Sequence, residues 1–179
     1  MKVGTDAVLL GCWVTCEKAK NILDIGCGTA LITLMLAQRN LNSKAIGIEI
    51  DERASIEAQL NISNSDWKER IEIKHTSLQK FNPQIKFDLI VCNPPFFPQN
   101  KSKQSRDIAR HANALSFREL LENASKLLED KGVFSVIIPK DSEEYFCKTA
   151  SFYKLHPNRV CYIKGNEKSD VKRIMIEFS

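Results

Sequence analysis

Asn93-Pro94-Pro95-Phe96 gathers groups able to hold a planar amine. The Asn93 side-chain carbonyl and the Pro94 backbone carbonyl can accept the two hydrogens of an NH2 group, and Phe96 offers a flat apolar face to the ring that carries it. Pro94 and Pro95 have no N–H to donate and a fixed φ, so the apolar run Leu89 to Cys92 must end there in a stiff turn. Such an uninterrupted run is the pattern of a strand buried on both faces of a parallel sheet. Open α/β sheets bind ligands at the carboxyl ends of these strands.

A second constellation lies upstream. Asn21 to Thr29, Asn-Ile-Leu-Asp-Ile-Gly-Cys-Gly-Thr, reads as a strand running into a glycine turn, with Thr29 opening an apolar helix through Arg39. Gly26 and Gly28 permit close backbone approach to a ligand. The third glycine of the dinucleotide fingerprint is replaced by Leu31, and Asp24 precedes the turn. A carboxylate there repels pyrophosphate and favours a sulfonium ligand bearing an α-amino group. Glu49 ends the next strand, Lys44 to Ile48, at the spacing of an acid that takes both hydroxyls of a ribose. Its carboxylate is expected to project beyond the strand end and to matter little to the fold.

The elements that position these residues follow from periodicity and punctuation. Lys2 to Trp13 reads as a short loop and an amphipathic helix capped by Thr5 or Asp6, with Val8, Leu9 and Trp13 facing inward. Thr5 and Asp6 are either caps alone or neighbours of a cofactor. A helix over Glu52 to Ile62, a strand over Ile71–Lys74 and the strand Phe87 to Cys92 come next. Residues 98–114 lack periodicity and carry Lys101, Lys103, Arg106 and Arg110 against Asp107, either a solvated charge run or a phosphate-gripping loop. Ser116-Phe117-Arg118-Glu119 is a capping box opening an amphipathic helix through Leu128, ended by Lys131-Gly132. A strand over Val133 to Ile138 and a helix over Asp141 to Tyr153, boxed by Asp141 and Glu144, follow. Leu155–Lys164 and Lys172–Phe178 are joined too briefly for a crossover, so they form an antiparallel hairpin. Residues 148–173 hold seven Lys or Arg against Glu167 and Asp170, a second basic region. The order predicts one domain, 1–179, with a mostly parallel sheet and an antiparallel edge.

Composition narrows the setting. The apolar runs are too short to span a bilayer, and Met1-Lys2-Val3-Gly4 does not open a signal peptide. Six cysteines include no Cys-x-x-Cys pair and three histidines are scattered, so neither a zinc site nor a disulfide framework is expected. A reducing cytoplasm is the expected compartment.

This topology, with Asp24-Ile-Gly26-Cys-Gly28-Thr29, Glu49 and Asn93-Pro94-Pro95-Phe96, resembles the class I S-adenosylmethionine-dependent methyltransferases that modify planar nitrogens. Lys2-Val3-Gly4-Thr5-Asp6 through Trp13, with Arg106 and Ala109-Arg110, is similar more narrowly to the bacterial tRNA1(Val) adenine-37 N6-methyltransferases. The resemblance implies a Rossmann-like fold with strand order 3-2-1-4-5-7-6. It implies a monomer that needs no metal and methylates N6 of an adenine in the anticodon loop of tRNA, with S-adenosylmethionine as donor. Asn93, Pro94, Pro95 and Phe96 would be catalytic. Cofactor contacts would come from Gly4, Thr5, Asp6, Asp24, Gly26, Gly28 and Thr29, from Glu49 and Ile50, and from Ser77, Leu78 and Asn93. Ser77 stands where many such enzymes carry an acid on the adenine amine. Lys101, Lys103, Arg106 and Arg110 would bind RNA. Family members carry a few tens of residues ahead of the Val-Gly-Thr-Asp stretch, so that extension is expected to be absent here. Rival readings keep the chemistry on guanine N2 of ribosomal RNA or on a protein glutamine. Others are an RNA-binding module with a vestigial cofactor site, and a nicotinamide dehydrogenase.

Overall fold

The apolar runs become the inner strands of a seven-stranded sheet. The computed structural model describes residues 4–95 and 115–179. Its strands are β1 (Asn21–Ile25), β2 (Lys44–Glu49), β3 (Ile71–His75), β4 (Phe87–Cys92), β5 (Leu128–Pro139), β6 (Pro157–Lys164) and β7 (Val171–Phe178), in the order β3-β2-β1-β4-β5-β7-β6. The first five pair in parallel; β7 runs antiparallel to both β5 and β6. This is the Rossmann-like arrangement with a C-terminal hairpin that the sequence implied. Ile22 to Ile25 and Leu89 to Cys92 are buried along their whole length, as central strands covered on both faces must be.

Helices α1 (Thr5–Trp13), α2 (Leu31–Arg39) and α3 (Glu52–Ser63) cover one face, packing on Ile22, Ala45, Leu89, Val91 and Met175. Helices α4 (Phe117–Leu127) and α5 (Glu143–Phe152) cover the other, over Leu23, Ile25, Ile90, Phe134 and Phe178. Residues 22 and 23 fall on opposite faces because side chains alternate along a strand. α1 lies close on α2, since a Cβ on Gly11 would stand 2.7 Å from the Met35 sulfur. Among the described residues no helix is long and apolar enough to cross a membrane.

Several local expectations are corrected. Gly4, not Thr5 or Asp6, is the N-cap of α1 and has no side chain to offer; Asp6 lies inside the first turn and pairs with Arg173. Of the residues expected to face inward, Leu9 and Trp13 are partly buried against the core, Trp13 with Arg159 over its ring, whereas Val8 is 37% exposed; the fully buried positions are Leu10 and Gly11, followed by Val14. α2 starts at Leu31 and not at Thr29, because the turn continues through Ala30 in the left-handed region (φ 65°). Leu128 has already left α4 and pairs with Phe87; a bulge then carries the chain to the Leu89–Val133 pair. The Asp141–Glu144 box does not form. A short 3-10 turn, Lys140–Ser142, precedes α5, and Glu143 takes bonds from Lys140 and Tyr162. The Ser116–Glu119 box forms as read.

Candidate active site

The glycine turn hangs from the end of β2. Gly26 N and Cys27 N both donate to the Ile48 carbonyl, at 2.9 and 3.0 Å, with Gly26 at φ +69° and Gly28 at φ +56°. That left-handed backbone is the reason glycine stands at both positions. Glu49 closes the arrangement. Its Oε2 accepts Gly28 N at 2.8 Å, and its Oε1 accepts Ile50 N and Asp51 N at 2.8 and 2.9 Å. The side chain is therefore built into the turn, contrary to the expectation that it projects clear of the fold; three N–H donors hold its nearly buried charge. Ile50 beside it is 58% exposed, an uncovered apolar surface at the mouth.

Asp24 lies beneath the turn, 1% exposed. Thr33 of α2 donates to its Oδ2 twice, from Oγ1 at 2.6 Å and from the backbone N at 3.1 Å, whereas Oδ1 has no partner among the described residues. Burial pushes the Asp24 carboxyl up to about 6, against the Thr33 hydrogen bonds and with some help from the Glu49 charge. Burial, then the charges of Asp24 and Glu49, also push the Cys27 and Cys92 thiols far up. Both shifts favour the protonated thiol at neutral pH.

Asn93 follows directly on the Ile25–Cys92 pair, which sets it beside the start of the glycine turn at Gly26. It is half-buried, Pro94 is buried and Pro95 is exposed. On the far side of Glu49, Thr76 N donates to the Glu49 carbonyl, and half-buried Ser77 leads into the 3-10 turn holding buried Leu78. Asp6 reaches the same carboxyl edge through Arg173, while Gly4 and Thr5 are exposed at the head of α1. Thr29 is half-buried, its carbonyl held by Asn61 Nδ2 at 3.0 Å. The described candidates thus share one edge of the sheet. Phe96, Lys101, Lys103, Arg106 and Arg110 lie outside the described residues. Sequence reasoning missed Thr33 and Arg173. Thr33 is the one polar residue among the buried positions of α2, a signal that was there to be used. Among the described residues no group of three or more His, Cys, Asp or Glu could hold a metal ion.

A doubly wound sheet with a glycine turn, an acid ending β2 and Asn-Pro-Pro ending β4 defines a methyltransferase. Accordingly, residues 3–152 match the family model described as Methyltransferase small domain. A predicted O-methyltransferase of Agrobacterium tumefaciens superposes with TM-score 0.76 over 97% of this chain and 80% of that one, at 18% identity. The N-methyltransferase NodS of Bradyrhizobium japonicum gives 0.67 over 97% and 92%, also at 18%. At that identity they speak for the fold alone. Closer relatives narrow the class. The chain is 45% identical to a tRNA1(Val) (adenine(37)-N6)-methyltransferase of Flavobacterium psychrophilum, covering 100% of this chain and 79% of the relative. It is 44% identical to the protein of that name in Trichodesmium erythraeum, over 100% and 77%. The chain belongs to the tRNA1(Val) (adenine(37)-N6)-methyltransferase family.

Proposed function

We propose that this protein transfers the methyl group of S-adenosylmethionine to the N6 amine of adenine 37 in tRNA1(Val), acting as a monomer in the cytoplasm. The observation that carries the reading is the register of β4 on β1, which sets the Asn93 turn beside the glycine turn. The cofactor fits the residues present. Asp24 Oδ1 is buried and has no partner among the described residues, an acceptor suited to an α-ammonium group, and open space stands where a Gly26 Cβ would be. Glu49 would take the ribose hydroxyls and Ile50, Ser77 and Leu78 the adenine. Gly4, Thr5, Asp6, Gly28 and Thr29 would line the methionine end.

When bound, S-adenosylmethionine supplies a methyl group activated by its sulfonium charge. Asn93 Oδ1 and the Pro94 carbonyl accept the two N6 hydrogens, which helps localise an amine lone pair otherwise delocalised into the ring. Pro95 stiffens that turn, and Phe96 stacks on the base. With an activated donor no strong base is needed, so positioning and charge stabilisation carry the acceleration. The base has to leave the stack of the anticodon loop to reach this edge. Lys101, Lys103, Arg106 and Arg110 hold RNA phosphates in this reading, on the strength of their place after the turn. Incubation with methyl-labelled cofactor and total tRNA, followed by nucleoside mapping, tests it. Label in N6-methyladenosine of a valine tRNA is expected; label on guanine or on protein, or none, would overturn the assignment.

A further inference from the structure

Helix α1 is fastened to β7 at both ends. β7 turns Arg173 and Glu177 to the same face, where α1 lies: Arg173 is opposite Pro139 at the carboxyl edge of the sheet, and Glu177 is opposite Ser135 further in. At the head of α1, Arg173 Nε donates to Asp6 Oδ2 at 2.8 Å. Beyond its tail, Thr15 N and Oγ1 donate to Glu177 at 2.7 and 3.1 Å. Arg159 joins this second fastening, donating to the Trp13 carbonyl at 3.1 Å with its guanidinium 4.3 Å from the Trp13 ring centroid. Four residues of strand span about 13 Å, and a nine-residue helix is about as long. The two fastenings thus match the length of α1. They differ in what they hold. The tail is held by hydrogen bonds to a buried carboxylate, together with Leu10 and Val14 in the core. The first turn, with exposed Gly4 and Thr5 and no side-chain cap, has the Asp6–Arg173 pair.

We propose that Arg173, which lies beyond the residues 3–152 that match the family domain, is a positioning residue for methyl transfer: its guanidinium fixes Asp6, and with it the first turn of α1, at the mouth of the cofactor site. The inference rests on the reading of Gly4, Thr5 and Asp6 as part of that mouth. A planar guanidinium suits the task because its donors sit in a rigid fork, so the pair fixes direction as well as distance. Through it the C-terminal hairpin takes part in a site otherwise built from the head of α1 and the carboxyl ends of β1 to β4.

The test compares Arg173→Ala, Arg173→Lys and Arg159→Ala in the full chain by calorimetry with S-adenosylmethionine, steady-state kinetics with tRNA, and hydrogen exchange of α1. Arg173→Ala should raise both the cofactor dissociation constant and the cofactor KM about fivefold, the upper end for a partly exposed ion pair. It should leave kcat at saturating cofactor within about twofold and speed exchange only at the amides, starting with Val8, that bond back to the first turn of α1. Arg173→Lys should recover part of the affinity. Arg159→Ala, at the far fastening, should lower the melting temperature while leaving cofactor affinity near wild type. Unchanged exchange and affinity in Arg173→Ala would overturn the proposal, as would an equal affinity loss in Arg159→Ala, which would mean general loosening. A wild-type chain that binds no cofactor overturns the methyltransferase reading instead, and exchange of the first turn then decides alone whether Arg173 holds it.

Discussion

The two faces of the sheet are held in different ways. The buried core of the α4–α5 face is apolar, with Phe117 edge-on to Phe146 at 4.9 Å and Phe134 stacked on Phe178 at 6.1 Å. The α1–α3 face carries a row of polar residues across the sheet, because the register aligns Asp24, Ser135, Glu177 and Arg159, interrupted by Val91 between the first two. Thr33 of α2 donates to Asp24, and Thr15 after α1 donates to Glu177. Apolar burial is strong but non-directional, whereas hydrogen bonds to a carboxylate fix orientation at a cost in desolvation. The face that orients helices is the one whose upper edge carries Asp24, the glycine turn and Asp6. Both faces bury apolar side chains, and the α1–α3 face adds groups that aim its helices.

The largest expected effect tests the apolar face. Phe134→Ala removes a fully buried ring and should cost about 3–5 kcal/mol in denaturant unfolding. The cofactor dissociation constant of the folded protein should stay within a few-fold of wild type; a large loss of affinity would erase the division of labour.

The polar face should respond with the opposite sign. Folded Asp24 binds its proton more tightly than an unfolded aspartate, whose carboxyl titrates near 3.8, since burial lifts it to about 6. Its contribution to stability is therefore greatest below the unfolded value and is lost as pH rises through about 6. Asp24→Asn should accordingly be more stable than wild type at neutral pH, by up to roughly 3 kcal/mol, with the advantage vanishing in acid. Cofactor affinity should fall all the same, because the acceptor proposed for the ammonium group loses its charge. In the wild type, that affinity should weaken as pH drops below about 6. A flat pH profile of binding, or an Asn variant less stable at neutral pH, would contradict this account of Asp24.

A smaller effect is expected from Glu49→Gln, which keeps the shape and an acceptor oxygen while removing the charge. Weaker bonds to Gly28, Ile50 and Asp51 and to the ribose proposed to lie there should cost about 1–3 kcal/mol of cofactor binding. Titration calorimetry at matched temperature measures it, and unchanged affinity would remove Glu49 from the ribose.

What could be read in the sequence was what repeats locally or ends an element. The strand succession, the glycine turn, the Asn-Pro-Pro stop after Cys92 and the Ser116 box all have short-range signatures, and the structure contains each of them. The fastenings of α1 had none. Asp6 meets Arg173 across 167 residues, and Thr15 meets Glu177 across 162. Nothing in either local pattern marks a partner so far away. For the same reason Asp6 looked like a cap. Glu49 was read correctly as an acid ending β2, but the three N–H groups it binds emerge only once β1 and β2 are paired.

In the proposed reaction, the edge beside the glycine turn does the chemistry and Asn93 holds the target amine there. Single-turnover methyl transfer by Asn93→Ala, with saturating cofactor and tRNA, isolates that step. The account predicts a rate lower by about 10²-fold or more, comparable to losing one oriented group in other active sites, with tRNA affinity little changed because phosphate contacts dominate it. A folded variant that transfers methyl at close to the wild-type rate would show that Asn93 only ends a strand.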